Sequence, residues 1–119
     1  TYCAKHGIAV LMRGPLRQGL LAGKYTLDSV FTDSVRAGWN NGGAGRAGFE
    51  TDMAKVEKLK QSIQPGADMV TAALRFSFSH LVAPVTIPGA KSPEQAMMNA
   101  QAGDRALTTE ELAAINAIF

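Results

Sequence analysis

The sequence predicts an α/β fold with a parallel sheet, incomplete on its own. Two short apolar runs, Ile8–Met12 and Val82–Ile87, lack apolar–polar alternation and are bounded by Gly7, Gly14-Pro15 and Pro88-Gly89. Such runs suit strands covered on both faces. Between and after them the spacing is helical, giving the order strand, loop, two helices, strand, helix, helix. Two strands of this kind cannot close a sheet, and their edges would stay unpaired. The chain therefore either belongs inside a larger barrel or self-associates to cover them.

The chain has 119 residues, 46% apolar and 18% charged, which is ordinary globular composition. No apolar run approaches the ~18 residues a membrane span requires. A net charge of +2 gives no argument for nucleic acid or an anionic membrane surface, only for a local anion site. The single cysteine, Cys3, excludes an intrachain disulfide and fits a reducing, cytoplasmic compartment. Neither Cys3 nor the nearby His6 sits on a recognisable catalytic or metal motif.

The opening Thr1-Tyr2-Cys3-Ala4-Lys5-His6-Gly7 reads as a helix end with Gly7 at C′. It carries no secretory pattern, so the expectation is a chain cut from something longer. After the first strand, residues 16–25 predict one short helical turn ended by Gly23. Residues 26–50 show no sustained period, and 38–46 are rich in glycine and asparagine. A loop of that length is either a functional lid or a mobile surface segment.

Thr51 or Asp52 then caps a helix whose apolar face is Met53, Val56, Leu59 and Ile63, with Lys55, Lys58 and Lys60 on the wet side. Pro65-Gly66 breaks it. A second helix starts near Asp68, with Val70, Ala73, Leu74, Ser77, Phe78 and Leu81 at helical spacing; His80 near its end reads as a partner of the helix dipole. After the second strand, Ser92 as N-cap and Pro93 at N1 open another helix. The last helix has a capping box, Thr108-x-x-Glu111, and is expected to bury Leu112, Ile115 and Phe119. There is no internal repeat and no low-complexity tract.

Chemistry concentrates at the two turns that follow the strands. Gly89-Ala90-Lys91-Ser92 precedes a helix N-terminus, where backbone N–H groups and the dipole favour an anion. Lys91 adds a point charge and Ser92 a hydroxyl; the alternative is a plain connecting turn. Gly14-Pro15-Leu16-Arg17-Gln18-Gly19 follows the other strand. In parallel α/β folds ligands gather beyond the carboxyl ends of strands, so both turns would lie on one face.

At these residues the chain resembles the aldo-keto reductases. Gly14 to Tyr25 resembles the loop after their seventh strand, written S-P-L-x-x-G-L-L-x-G-K-Y. Ala73-Leu74-Arg75-Phe76 is similar to their A-L-R-[WF] helix. Ile87-Pro88-Gly89-Ala90, with Gln95 and Asn99, is similar to I-P-G-A-x-x-x-x-Q-x-x-x-N. Leu107-Thr108-Thr109-Glu110-Glu111-Leu112 resembles L-[ST]-x-E-E-[LI]. The order and spacing hold over nearly the whole chain, treated as one unit, 1–119, with 26–50 as a long cofactor- and substrate-side loop.

The resemblance implies the C-terminal part of a (β/α)8 TIM barrel, its last two strands and their helices. It implies an NADP(H) site in a cytoplasmic enzyme that reduces aldehydes or ketones by hydride transfer. Pro15, Leu16, Gln18 and Gly19 would form the turn under the pyrophosphate, with Lys24 reaching the phosphates and Arg36 folding over the cofactor. Gly89, Ala90, Lys91 and Ser92 would hold the 2′-phosphate, and Gln95 and Asn99 would contact the adenosine. Three positions depart from the family pattern: Gly14 stands where serine is common, Met98 where an acid is common, and Arg13 where an aromatic stacks on the nicotinamide; Arg13 is kept as a cofactor contact, because a guanidinium can still lie flat on the ring.

The family's tyrosine, lysine, aspartate and histidine belong to earlier strands. Tyr2, Tyr25, His6 and His80 match none of them, so no catalytic residue is carried over and the chain alone is expected to be inactive. Its expected partners are the remainder of the barrel, or further copies of itself, and a small carbonyl substrate of the parent. A non-catalytic regulatory barrel like the potassium-channel β-subunits, or an inert self-associating piece, are the alternative readings.

Overall fold

The computed structural model describes residues 2–63, 67–80, 82 and 84–119. The proposed break at Pro65-Gly66, the core position Leu81 and Ala83 of the second apolar run lie outside them.

Helix α1, Tyr2–Lys5, ends as its sequence dictates. Gly7 takes the left-handed conformation at φ 62°, and Ile8 N–H donates to the Cys3 carbonyl at 2.9 Å. This bond closes a Schellman-type cap. Strand β1, Leu11–Arg13, pairs in parallel with β2, Val85–Ile87, in the register Leu11–Val85, Met12–Thr86 and Arg13–Ile87. A parallel pair needs a long crossover, and here the crossover carries a 3₁₀ turn (Arg17–Ala22), α2 (Arg46–Ser62) and α3 (Met69–Phe78). Helices α4 (Pro93–Gln101) and α5 (Thr109–Asn116) follow.

Both strands are shorter than the apolar runs, and the described residues cover only one of their faces. Thr86 points at α3, where its Oγ1 lies 2.7 Å from the buried Ser77 hydroxyl. On the other face Leu11, Val85 and Ile87 are 69%, 59% and 51% exposed. The expectation of two covered faces is corrected: with two strands, only the side carrying α3 is roofed. The radius of gyration of 15.3 Å exceeds the roughly 13.5 Å of a compact globule this long, as suits an elongated body of 45 × 32 × 28 Å.

The loop boundary at residue 50 is also corrected. Helix α2 begins at Arg46, after a Gly45 N-cap that offers no side-chain acceptor. Thr51 and Asp52 do other work: the Thr51 hydroxyl donates to the Ala47 carbonyl at 3.0 Å and Asp52 pairs with Arg17. The extra turn buries Phe49 beside Met53 and Val56, and these pack with Leu20 and Phe31 in one core. Segment 26–45 is held to it. Trp39 stacks on Phe49 with centroids 5.3 Å apart, and Phe31 meets Tyr25, Trp39 and Phe49 edge-on.

Helix α3 starts where Asp68 accepts from Thr71 N–H at 2.8 Å, and it buries Ala73, Leu74 and Ser77 as its spacing requires. His80, beyond its end, is exposed and packs edge-on against Phe76. The capping box of α5 forms in full. Ile115 is buried and Leu112 half-buried, but Phe119 is 65% exposed, its ring 5.6 Å from Lys55 Nζ. It lies beyond the helix end, so helical spacing no longer turns it inward.

Candidate functional site

The turn after β1 is built from unusual backbone. Pro15 sits at the second position of a turn closed by Arg17 N–H to the Gly14 carbonyl at 2.9 Å. Arg17, Gln18 and Gly19 then take φ of 47°, 57° and 88° in succession. The left-handed region is unfavourable for non-glycine residues, and such runs persist only where surroundings enforce them. Two anchors do so here. Arg17 Nη2 lies 2.8 Å from Asp52 on α2, and Leu20, 3% exposed, is buried in the core.

The turn after β2 is held by side chains of α4. Ser92 Oγ accepts from Gln95 N–H at 3.3 Å as the N-cap. Gln95 Oε1 accepts from Lys91 N–H at 2.8 Å, and Asn99 Nδ2 donates to the Gly89 carbonyl at 3.3 Å. The Ser92 hydroxyl also helps hold the Glu94 carboxyl below its ordinary pKa.

Because β1 and β2 run parallel, both turns leave the same edge of the sheet. They face each other across one groove of about 770 Å³. On its first wall lie Pro15, Leu16, Gln18, Gly19 and Lys24; on the second, Gly89, Ala90, Lys91, Gln95 and Asn99. Arg36 reaches the same groove from the long loop. Two of the sequence-derived positions do not line it. Arg13 pairs with Ile87 in the sheet, and Ser92 is engaged as the cap of α4.

Arg36 is fixed on three sides. Its Nε donates to Asp33 Oδ2 at 2.8 Å, Nη2 lies 2.7 Å from the same oxygen, and Nη1 donates to the Tyr25 hydroxyl. Its guanidinium also lies over the rings of Tyr25 and Phe31, 5.6 and 5.5 Å from their centroids. Hydrogen bonding to Arg36 holds the Asp33 carboxyl below its ordinary range, and Asp33 raises the pKa of Arg36 in turn. Among the described residues Lys24 and Lys91 enter no ion pair, and no group of His, Cys, Asp or Glu could hold a metal.

A model of the aldo/keto reductase family matches residues 1–119. The chain belongs to that family. Two solved structures resemble this aldo/keto reductase chain in fold, the holo and apo forms of aldo-keto reductase AKR11C1 from Bacillus halodurans. Each gives a TM-score of 0.67 at 24% identity over 98% of this chain. The match covers 35% of the holo chain and 36% of the apo chain, so this sequence spans about a third of their length. Comparison with curated proteins gave no match. No helix among the described residues is long and apolar enough to cross a membrane.

The groove wall of this aldo/keto reductase chain also includes Tyr25, Asp33, Val35 and Val70, which the motifs do not assign to it. Asp33 carried a local signal, an acid three residues before an arginine. Tyr25 closes the Gly14–Tyr25 motif, but its place on the groove wall, like that of Val70, comes from the fold alone.

Proposed function

We propose that the groove is the chain's share of an NADP(H) site in a barrel enzyme that reduces aldehydes or ketones. The observation that carries this is the meeting of two strand-end turns on one cavity, with a lysine outside any ion pair among the described residues, Lys24 or Lys91, on each wall. Their residues fit a dinucleotide phosphate. Gln18 and Gly19 line the groove on the side read as the pyrophosphate's, with Lys24 and Arg36 as cations beside them. Gly89, Ala90 and Lys91 form a second anion cradle at the start of α4, suited to the 2′-phosphate. Gln95 and Asn99 border the position of the adenosine.

Bound NADPH supplies the hydride; this chain contributes phosphate binding and orientation. The proton donor and its partners are assigned to other strands of an eight-stranded barrel, of which β1 and β2 are the last two. The reading goes with a cytoplasmic enzyme.

Calorimetric titration of the chain with NADPH and NADH tests it. NADPH should bind more tightly, and Lys91→Ala should weaken NADPH while leaving NADH nearly unchanged. Equal affinity for the two nucleotides would remove the 2′-phosphate assignment.

A second reading concerns partners. The open sheet face at Leu11, Val85 and Ile87, with its unpaired strand edges, favours covering by further strands. These come from the rest of the barrel or, for the chain alone, from a second copy.

A further inference from the structure

We propose that Asp33 and Tyr25 are positioning residues, which set Arg36 on the groove wall as a preformed cation for the ligand's pyrophosphate. The proposal rests on the cofactor reading above and adds two residues to it.

An unrestrained arginine loses considerable rotamer freedom on gripping an anion. Arg36 has already lost it. Asp33 Oδ2 holds Nε and Nη2, the Tyr25 hydroxyl holds Nη1, and the rings of Tyr25 and Phe31 lie against the guanidinium. Each terminal nitrogen carries a second N–H, which is left for a ligand. The hydroxyl of Tyr25 accepts from Arg36, so its own proton is free to be donated. Both Tyr25 and Asp33 line the groove with Arg36.

Tyr25 also connects the two halves of the phosphate side. Its hydroxyl lies against the Gly19 backbone, leaving no space there for a Cβ. One oxygen therefore touches both the left-handed turn and the loop arginine, and fixes their separation. Asp33 is itself held by its chain: Oδ1 accepts from Arg36 N–H at 3.1 Å, and its carbonyl accepts from Ala37 N–H at 2.9 Å.

The competing role for Asp33 is simple neutralisation of Arg36, and the two roles differ in sign. If Asp33 only neutralises, Asp33→Asn removes a negative charge from the groove and tightens anion binding. If it positions Arg36, the same change weakens binding although the groove becomes more positive. Asparagine keeps the Oδ1 acceptor and serves well at a turn start, so the variant should stay folded; circular dichroism and Asp33→Glu provide the check.

The experiment is calorimetric titration of the full chain and its variants with inorganic pyrophosphate and with NADPH. Asp33→Asn and Tyr25→Phe should each weaken both ligands roughly three- to tenfold, the scale of one hydrogen bond. Asp33→Glu should recover part of the loss. In an Arg36→Ala background Asp33→Asn should no longer weaken binding, which a merely structural role would not produce. Unchanged or tighter binding by Asp33→Asn overturns the proposal, as does an undiminished effect without Arg36. Binding that Arg36→Ala leaves intact overturns it too, while the groove keeps its ligand. Failure of the unaltered chain to bind either ligand removes the cofactor reading and this proposal together.

Discussion

The hydroxyl oxygen of Tyr25 lies 2.8 Å from the point a Cβ on Gly19 would occupy, and Gly19 has φ 88°. Glycine is thus required twice over, by conformation and by space. Gly19→Ala should lower stability by about 1–3 kcal/mol. In a Tyr25→Phe background the nearest remaining ring atom is 3.5 Å away, so the steric part should vanish while the conformational part stays. Urea denaturation of the four proteins gives the coupling. Strict additivity would show that the hydroxyl does not set the residue at 19.

This pair also marks the limit of what the sequence discloses. Helix ends were legible where the signal is local: Gly7 closes α1, Ser92 caps α4 and Thr108 with Glu111 caps α5. The start of α2 was not, because Gly45 caps it without a side chain and Gly48 interrupts the periodicity between Arg46 and Phe49. The two turns that line the groove were legible from their glycines and their place after apolar runs. The clasp on Arg36 was only partly so: Asp33 lies three residues away, whereas Tyr25 lies eleven residues away and meets it through the fold. The exposed face of the sheet was illegible for another reason: the runs encode burial on both sides, and this chain supplies one.

Asn40 holds the long loop by imitating a neighbouring strand. Its carboxamide accepts from Phe31 N–H at 2.9 Å and donates to the Phe31 carbonyl at 2.8 Å. Asn40→Ala leaves both backbone groups without these partners and should cost about 1–3 kcal/mol. Trp39, the sole tryptophan, stacks on Phe49 next door and reports the change. Its emission should shift to the red at lower urea than the loss of helical circular dichroism. Coincident, unmoved transitions would show that the aromatic cluster holds the loop without Asn40.

The pH dependence of stability should have a component at Glu111. Arg105 hydrogen bonds, then the Thr108 N–H, lower its pKa from 4.5 to about 2. A carboxyl depressed in the folded state stabilises above its unfolded pKa and loses that contribution as pH falls through the folded value. The melting temperature should therefore fall between about pH 4.5 and pH 2. Glu111→Gln can keep the capping box but cannot titrate, so its melting curve should be flatter across that window. Asp33 and Glu94 are shifted in the same direction and leave a smaller slope. Parallel profiles for the two proteins would remove Glu111 as a contributor.

The open face of the sheet makes the last prediction. Leu11 and Val85 are cross-strand partners, 69% and 59% exposed, and Ile87 continues the patch at 51%. Apolar side chains grouped on one sheet face promote association, and unpaired parallel edges beside them offer backbone groups to a neighbour. The isolated chain should sediment above its monomer mass and bind a hydrophobic dye. Val85→Glu places a charge on an exposed side-chain position, so it should shift the chain toward monomer with little loss of helical content. Because the side chain at 85 is exposed within one chain, a large fall in melting temperature would show that association itself stabilises the fold. A dye-silent monomer for the unaltered sequence would count against the covering-strand reading, leaving the groove and its Arg36 clasp to be judged on ligand binding alone.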